Sequence, residues 1–270
     1  MAPQSIVLIS GTSLPFFSKI GIVYMNKTYH HQIPGANRGL GYETAKNLLL
    51  SGNYHIIIGS RDCSKGDAAA DSLRTLPGIH GTVSTIQLDV TDDQSVDDAK
   101  ARIESDFGHL DVLVNNAGIC LLNQEAVRDA LRLTLETNVT GAASLTEALL
   151  PLLLKSTNPR LVFVSSSNGS MTYNLDPNSP HGGTHVTEHR VAKAALNMLL
   201  VQYHMKLKSV KVLGADPGFC ATDVIGDADA LRRMGATEPE VGAQIIASVV
   251  EGEKDDQPGR VHGPQGIVPW

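Results

Sequence analysis

A glycine-rich turn near the start of the chain could bind phosphate. The run PGANRGLG at residues 34–41 stands directly before a helical pattern. Glycines let the backbone approach a pyrophosphate at the positive end of a helix. Such a turn also occurs without a ligand, so it predicts a nucleotide site only together with other motifs.

A second arrangement could hold a metal ion. The run HVTEH at residues 185–189 has the HxxEH spacing of some zinc peptidases, and His181 adds a third imidazole. Zinc binding would require both histidines of the run on one continuous helix. Pro180 and the two glycines after His181 indicate that the helix begins too late for this. A zinc peptidase is therefore a remote alternative, and we expect no metal.

Short apolar runs that could form strands recur between longer helical patterns. They are Ile6–Ile9, His55–Gly59, Ser84–Leu88, Val112–Asn115, Leu161–Ser165, Lys211–Ala215 and Arg260–His262. Runs that are apolar throughout, such as Ile56–Ile58, are typical of parallel strands covered by helices on both faces. The sequence therefore predicts an α/β fold with a doubly wound parallel sheet, as one domain over residues 1–270.

Caps and apolar periodicity predict the helices between these strands. They extend from Asn37 or Arg38 to Leu50, and over Lys65–Arg74, Asp92–Phe107, Gln124–Lys155 with a break, Glu188–Leu207 and Glu238–Gly252. We expect the Thr91 hydroxyl to cap the third helix, ahead of an acidic first turn.

Composition excludes several classes of protein. The 270 residues carry 28 acidic and 22 basic side chains and a net charge of -6, which argues against nucleic acid as a partner. Three dispersed cysteines suggest reduced thiols in a cytoplasmic protein rather than a disulfide framework. No apolar run reaches the roughly 18 residues of a membrane span, and no secretory signal is evident, so we expect neither membrane nor export.

Several further motifs follow the glycine-rich turn in a characteristic order. They are Leu88-Asp89-Val90, Asn115-Asn116-Ala117-Gly118, Asn138 in a predicted helix, and Pro217-Gly218 with Thr222 after it. With the turn, this order resembles the short-chain dehydrogenase/reductase family. The runs Leu213–Gly218 and Val268–Trp270 are similar to those of its carbonyl-reductase-like fungal members, many of which serve secondary metabolism. The resemblance implies a Rossmann fold and a bound NAD(P).

The resemblance also implies which residues contact the cofactor. They are Gly35, Asn37, Arg38, Gly39, Leu40, Gly41, Ser60, Arg61, Asp89, Val90, Asn115, Ala117, Gly118, Lys193, Pro217, Gly218 and Thr222.

The residues after the second strand favour NADP(H) over NAD(H). Ser60 stands where an NAD-specific site needs a carboxylate for the ribose hydroxyls, and Arg61 follows it. Arg38 in the glycine turn supplies a second guanidinium, so the two arginines could clamp a 2′-phosphate. Asp62 is a mild objection to this interpretation, and each arginine alone could be a solvated surface charge.

An insertion separates the first strand from the glycine-rich turn. In the family the turn follows the first strand directly, and removing residues 12–35 would restore the uninterrupted run SIVLISGANRGLG. The segment is either a surface excursion or translated non-coding sequence, and we favour the second interpretation. If it is present in the protein, Gly35 must replace Gly11 as the first glycine of the turn.

The catalytic residues of the family are a serine, a tyrosine and a lysine, the last two in a YxxxK motif, with a helix asparagine that holds a proton-relay water. Ser166, Lys193 and Asn138 match three of these four positions, with Ser165 and Ser167 as alternatives for the serine. His189 stands where the tyrosine is expected.

This substitution changes the acid–base chemistry. A neighbouring ammonium lowers the pKa of an imidazole, and neutral imidazole donates a proton poorly. Two outcomes stay open: His189 or a relay water acts as a weak acid or base, or reduction is lost and cofactor binding survives. The resemblance thus implies an NADPH-dependent reductase or dehydrogenase of a small carbonyl or alcohol; the alternative is a non-catalytic NADP(H)-binding sensor or scaffold.

Apolar rows on two predicted helices leave the oligomeric state open. Leu145, Leu149, Leu196 and Leu200 could pack in a homo-oligomer or be buried within one subunit.

Overall fold

One mixed sheet forms the centre of the fold. The computed structural model describes residues 4–11, 39–52, 54–121, 127–182, 185–222 and 227–270. The strands in these ranges are β1 Ser5–Ile9, β2 Tyr54–Ser60, β3 Thr82–Gln87, β4 Val112–Asn115, β5 Arg160–Val164, β6 Lys211–Ala215, β7 Val261–Gly263 and β8 Gly266–Val268. Their order is β3-β2-β1-β4-β5-β6-β7-β8, parallel up to β7, with β8 antiparallel at the edge. The predicted doubly wound sheet is confirmed.

Helices cover both faces of the sheet. Within the described ranges they are α1 Gly39–Ser51, α2 Cys63–Arg74, α3 Asp93–Phe107, α4 Val127–Leu135, α5 Gly141–Leu153, α6 Met171–Leu175, α7 Thr187–Lys206, α8 Ala228–Arg233 and α9 Pro239–Val250. A π-helical turn, Glu136–Thr140, joins α4 to α5, and a 3₁₀ turn, Ser167–Gly169, follows β5. None of the described helices combines the length and the apolar character that crossing a bilayer requires.

Alternating strand residues build two separate core layers. On β5, Leu161 and Phe163 belong to the layer under α3, α5 and α7, and Val162 and Val164 belong to the layer under α1, α2 and α9. Because successive strand residues point to opposite faces, a strand covered on both faces must be apolar throughout.

The four leucines that left the oligomeric state open belong to the first of these layers. Leu145, Leu149, Leu196 and Leu200 are fully buried or nearly so within the single chain. Burial within one subunit is therefore the correct alternative for these side chains.

The structure corrects several predicted elements. The predicted break in the helix over 124–155 is the π-helical turn, which continues directly into α5. The cap of α3 is Asp92 rather than Thr91: the Asp92 carboxylate accepts from the Gln94 and Ser95 amides, at 3.0 and 3.4 Å. The hydroxyl of Thr91 instead donates to Asp89. Strand β8 and the short helices α6 and α8 were not predicted.

The predicted insertion and part of the glycine-rich turn lie outside the described residues. This applies to residues 12–35 and to Gly35, Asn37 and Arg38. The next described residue is Gly39, the first residue of α1.

Candidate active site

The carboxyl ends of β1 and β4 define the crevice in which the candidate site lies. The strand order departs from β1 in opposite directions, and ligands of open α/β sheets bind at such a switch point. The Ser10 hydroxyl oxygen accepts from the Asn116 and Ala117 amides, at 3.2 and 3.3 Å. The Asn116 side chain donates to the Ser10 carbonyl at 3.0 Å. These bonds lock the two strand ends together.

The end of the glycine-rich turn lies against the loop after β6. Gly39 has a φ of +62°, a conformation that favours glycine, and a Cβ there would lie 3.6 Å from Cγ2 of Thr222. Gly41 is buried within α1, and Leu40 packs against the core layer under that helix. The structure thus brings together two of the predicted cofactor-contacting segments, which are far apart in sequence.

Arg61 presents part of its guanidinium group without a partner. Its Nε and Nη2 atoms are buried and lack a hydrogen bond, and its Nη1 atom lies 3.8 Å from the Asp89 carboxylate. Burial lowers the pKa of Arg61. Unsatisfied, buried donors of a guanidinium are costly, and the oxygens of a phosphate group would satisfy them. The residues present therefore fit a nucleotide phosphate at this point.

The neighbours of Arg61 explain its position. The Leu88 amide donates to the Ser60 carbonyl at 2.9 Å, which extends the contact between β2 and β3 beyond the strands, and Val90 is buried shortly afterwards. The Ser60 hydroxyl donates to the main-chain carbonyl of Asp62 at 2.9 Å. The Asp62 carboxylate caps α2 by accepting from the Lys65 amide, so it is engaged locally.

Asn138 lies in the π-helical turn, and its side chain is hydrogen-bonded to both the main-chain amide and the main-chain carbonyl of Ile119. Its Oδ1 atom accepts from the Ile119 amide at 2.8 Å, and its Nδ2 atom donates to the Ile119 carbonyl at 2.9 Å. A Cβ on Gly118 would lie 3.5 Å from the same Oδ1 atom. Single π-helical turns inside longer helices are frequent at functional sites, and this one directs an almost fully buried asparagine at the segment after β4.

His189 reaches the same carbonyl from α7. Its Nδ1 atom lies 3.4 Å from the Ile119 oxygen. Burial lowers the pKa of His189 to about 3, and the positive charge of Lys193 adds to this effect. The imidazole is therefore neutral at physiological pH, as the sequence predicted.

Lys193 lies one helical turn after His189 and is buried. Its Nζ atom donates to the carbonyl of Val164, at the end of β5, at 2.7 Å. Burial lowers the pKa of Lys193 to about 8, although the nearby charge of Asp216 opposes this effect. The ammonium group is therefore a stronger acid than an exposed lysine.

The three consecutive serines after β5 differ in where their hydroxyls bind. Ser165 is hydrogen-bonded to Asn197, and Ser167 to Asp216, both inside the protein. Ser166 is only half-buried, and its Oγ atom accepts from the Asn168 amide at 3.1 Å as the cap of the 3₁₀ turn. Ser166 is thus the most accessible of the three hydroxyls.

Gly169 permits the close contact between this turn and α7. A Cβ on Gly169 would lie 2.7 Å from the carbonyl carbon of Lys193 and 2.9 Å from the amide nitrogen of Ala194. Only a residue without a side chain allows the backbone of the turn to touch the helix at Lys193.

Comparison with known proteins identifies the family. Residues 31–232 match the family model described as short chain dehydrogenase. The chain belongs to the short-chain dehydrogenase/reductase family. It is 36% identical to the short-chain dehydrogenase/reductase tropE of Talaromyces stipitatus over 256 residues, covering 87% of this chain and 95% of tropE. It is also 36% identical to the short-chain dehydrogenase/reductase eupG of a Phoma species over 267 residues, covering 88% of this chain and 96% of eupG.

A solved structure supports the fold of this oxidoreductase family. The NADPH-bound carbonyl reductase from chicken fatty liver superposes with a TM-score of 0.73 at 21% identity, covering 99% of each chain. The family match begins at residue 31, so it does not include β1, which residues 12–35 separate from the glycine-rich turn.

Sequence reasoning missed the groups through which this short-chain dehydrogenase/reductase assembles its site. Asn138 and His189 meet at the main chain of Ile119, and Lys193 meets the main chain of Val164. No side-chain pattern could have revealed these partners, because every residue carries the same main-chain groups.

Two predicted residues have positions that bear on their expected roles. The side-chain Nδ2 atom of Asn115 donates to the Thr146 hydroxyl at 3.0 Å, so this side chain holds α5 to the sheet within the core. His185 precedes α7, whereas His189 lies inside it, so the HxxEH histidines do not share a helix. Among the described residues, no three His, Cys, Asp or Glu side chains are grouped closely enough to hold a metal ion.

Proposed function

We propose that this short-chain dehydrogenase/reductase is an NADP(H)-dependent enzyme that reduces a small carbonyl compound or oxidises the corresponding alcohol. One observation carries the proposal: Asn138 and His189 converge on Ile119, while Lys193 reaches the strand end that leads to Ser166. Side chains from the π-helical turn, α7 and the 3₁₀ turn thus lie around one end of β4 and β5. We place the substrate among small molecules of fungal secondary metabolism, as the resemblance implies, and the protein in the cytoplasm.

The unpartnered guanidinium donors of Arg61 support NADP(H) as the cofactor. A 2′-phosphate would accept hydrogen bonds from these buried atoms. Ser60 has a neutral hydroxyl where an NAD-specific site has a carboxylate, so position 60 does not repel the phosphate. We propose that the described residues of the cofactor site are Gly39, Leu40, Gly41, Ser60, Arg61, Asp89, Val90, Ala117, Gly118, Lys193, Pro217, Gly218 and Thr222, with Asn115 supporting the sheet beneath. When bound, NADPH supplies the hydride for the carbonyl carbon.

The side chains of the chain handle the oxygen and the proton. Ser166 donates a hydrogen bond to the substrate oxygen and so polarises the carbonyl. His189, which is neutral, donates from Nδ1 to Ile119, and this leaves Nε2 as an acceptor for the proton of an alcohol. That proton passes on from His189 to the neutral Lys193 amine, whose ammonium form has a pKa of about 8, and in the direction of reduction the same relay runs in reverse.

A second candidate function is NADP(H) binding without turnover. The observation that favours it is the pKa of about 3 at His189, because a histidine that stays neutral is a poor general acid. Such a protein would act as a nucleotide sensor or scaffold.

The proposed function is tested by replacing His189 with the tyrosine that the family has at this position. We expect His189→Tyr to raise the rate of ketone reduction by about 10²-fold or more, since a positioned general acid contributes 10²- to 10⁴-fold. His189→Phe is the matched control, with the same ring and no hydroxyl, and should give no gain. Both variants are to be assayed with NADPH and a panel of small ketones.

Calorimetric titration with NADPH distinguishes the candidates. A His189→Tyr variant that binds NADPH and gains no activity would support the non-catalytic candidate. Failure of the wild type and of a variant lacking residues 12–35 to bind NADPH would contradict both. A homo-oligomer stays a prediction, and light scattering would measure the oligomeric state.

A further inference from the structure

Asp216 is a buried carboxylate at the centre of the site to which sequence motifs assigned no role. It directly follows β6 and is 1% exposed. Its Oδ2 atom accepts from the Ser167 amide at 2.8 Å and from the Ser167 hydroxyl. Its Oδ1 atom accepts from the Gly218 amide at 2.9 Å.

These three bonds connect two turns that the proposed reaction needs. Ser167 is the first residue of the 3₁₀ turn that Ser166 caps, and Gly218 belongs to the Pro217–Gly218 turn proposed to contact the cofactor. Strands β5 and β6 are neighbours, with Val164 paired to Ala215, so the two turns leave the sheet side by side. The carboxylate bridges them with both of its oxygens.

Asp216 also supplies negative charge near Lys193, because Lys193 donates to the Val164 carbonyl and Ala215, the strand partner of Val164, directly precedes Asp216. The Lys193 side chain is buried, and its hydrogen bond goes to the neutral carbonyl of Val164. A buried ammonium without opposing charge loses its proton readily. The charge of Asp216 raises the pKa of Lys193 and thereby offsets part of the lowering caused by burial.

We propose that Asp216 is a positioning residue that fixes the Ser166 turn against the Pro217–Gly218 turn and keeps the Lys193 ammonium charged. This inference rests on the proposed function for its catalytic meaning, but the charge on Lys193 can be measured without any cofactor.

Among the described titratable groups around Lys193, Asp216 is the main source of negative charge. Burial raises the pKa of Cys120, after β4, to about 12, and that of Cys220, after β6, also rises on burial, so both thiols stay protonated near neutral pH. Glu188 and Arg190, both on α7, carry opposite charges. On α7 His189 is neutral, and burial lowers the pKa of His262 on β7.

The experiment compares two isosteric substitutions, each read by the Lys193 titration. In protein labelled with ¹³C at lysine Cε, the Lys193 signal is assigned by its loss in Lys193→Arg. Asp216→Asn should lower the Lys193 midpoint by about one pH unit. The matched control is Asp111→Asn at the amino end of β4, where the carboxylate likewise accepts from a main-chain amide, that of Ile6, at 2.8 Å. It should leave the Lys193 titration unchanged.

A second variant separates charge from hydrogen bonding. Ser167→Ala removes one bond to Asp216 and keeps the carboxylate, so the Lys193 midpoint should stay in place. If Asp216→Asn folds and Lys193 titrates as in the wild type, the inference is wrong. It is equally wrong if Ser167→Ala lowers the midpoint, and this arm holds even if Asp216→Asn fails to fold.

NADPH affinity measured against pH links the inference to function. The pH at which the affinity for NADPH has fallen about tenfold should be lower by about one unit in Asp216→Asn than in the wild type. An Asp216→Asn profile that coincides with the wild-type profile would overturn the link to cofactor binding. Absence of NADPH binding in the wild type would instead contradict the proposed function, while the Lys193 titration would still decide the role of Asp216.

Discussion

At the scale of single residues, burial sets the protonation of His189 and so makes stability depend on pH. The pKa of His189 is about 3 in the fold and about 6.5 when unfolded, so the unfolded chain binds the additional proton between these values. The stability that depends on neutral His189 is present above about pH 6.5 and is lost as the pH falls towards 3. Between pH 7 and 4.5 this loss amounts to about 2.5 kcal/mol.

We therefore expect His189→Gln to lose less stability than the wild type when the pH falls from 7 to 4.5. The free energy of unfolding is measured by urea denaturation at both pH values, and its loss should be smaller in the variant by about 2.5 kcal/mol. Parallel losses in wild type and variant would contradict the burial of a neutral imidazole. Other titrating groups cancel in this comparison.

The proposed choice of cofactor depends on a single described guanidinium. Arg61→Gln should weaken NADPH binding by about 10- to 100-fold, since a hydrogen bond to a charged group contributes about 1.5–3 kcal/mol. Binding of NADH should not change, because NADH lacks the 2′-phosphate. The measurement is the pair of dissociation constants from calorimetry.

Arg102→Gln provides the control for this prediction. Arg102 is an exposed residue of α3 that pairs with Asp106, and its loss should affect neither cofactor. Equal weakening of NADPH and NADH by Arg61→Gln would argue that Arg61 has only a structural role.

At the scale of elements, the contact between the 3₁₀ turn and α7 sets the distance between Ser166 and Lys193. Gly169→Ala would place a methyl group 2.7 Å from the Lys193 backbone, so the turn must move away from the helix. Overpacking of this kind costs about 1–3 kcal/mol of stability. We expect that loss in urea denaturation, together with weaker NADPH binding.

Asn178→Ala, in the exposed loop after α6, is the control for this substitution. Its effect should stay within about 0.5 kcal/mol, as is usual for surface positions. Unchanged stability of Gly169→Ala would show that the turn does not press against α7.

The start of α7 carries local backbone strain. Val186 precedes the helix with a φ of 53°, a left-handed conformation that costs a β-branched residue about 1–2 kcal/mol, and its side chain makes no capping bond. Asparagine tolerates this conformation, so Val186→Asn should raise the free energy of unfolding by about 1 kcal/mol. The same change at the exposed helical position Val191 should be neutral or slightly destabilising. Destabilisation by Val186→Asn would show that the valine packs well enough to outweigh its strain.

At the scale of the whole molecule, the predicted insertion separates β1 from the turn that should bind phosphate. A variant without residues 12–35 should bind NADPH about tenfold more tightly, since one restored hydrogen bond to a charged phosphate contributes about 1.5 kcal/mol or more. Comparison of the two dissociation constants measures this effect, and sequencing of the transcript determines whether the segment is translated. Equal or weaker binding by the shortened chain, or a message that always includes the segment, would contradict our interpretation.

The sequence predicted the sheet well because its signal is local. Strands β4 and β6 begin and end at the predicted residues, since an apolar run buried on both faces is unmistakable. Short elements escaped prediction: α6 and β8 have five and three residues, too few for a periodic pattern.

At the site, the sequence identified residue types but not their partners. The sequence contains one cause of the lowered pKa of His189, the charge of Lys193 four residues later, but not the larger cause, which is the burial of the imidazole. The bonds to Ile119 and Val164 and the bridging role of Asp216 depend on tertiary packing of segments far apart in the chain. Such contacts have no counterpart in motif spacing.

The position of the single tryptophan has a practical consequence. The carbonyl of Trp270 accepts from both the amide and the hydroxyl of Thr172 in α6, which follows the Ser166 turn. Its indole ring, partly buried against the core, is therefore a built-in optical reporter of this region. Ultraviolet emission from that ring overlaps the absorption of reduced nicotinamide, so quenching by energy transfer would reveal cofactor entry in unlabelled protein.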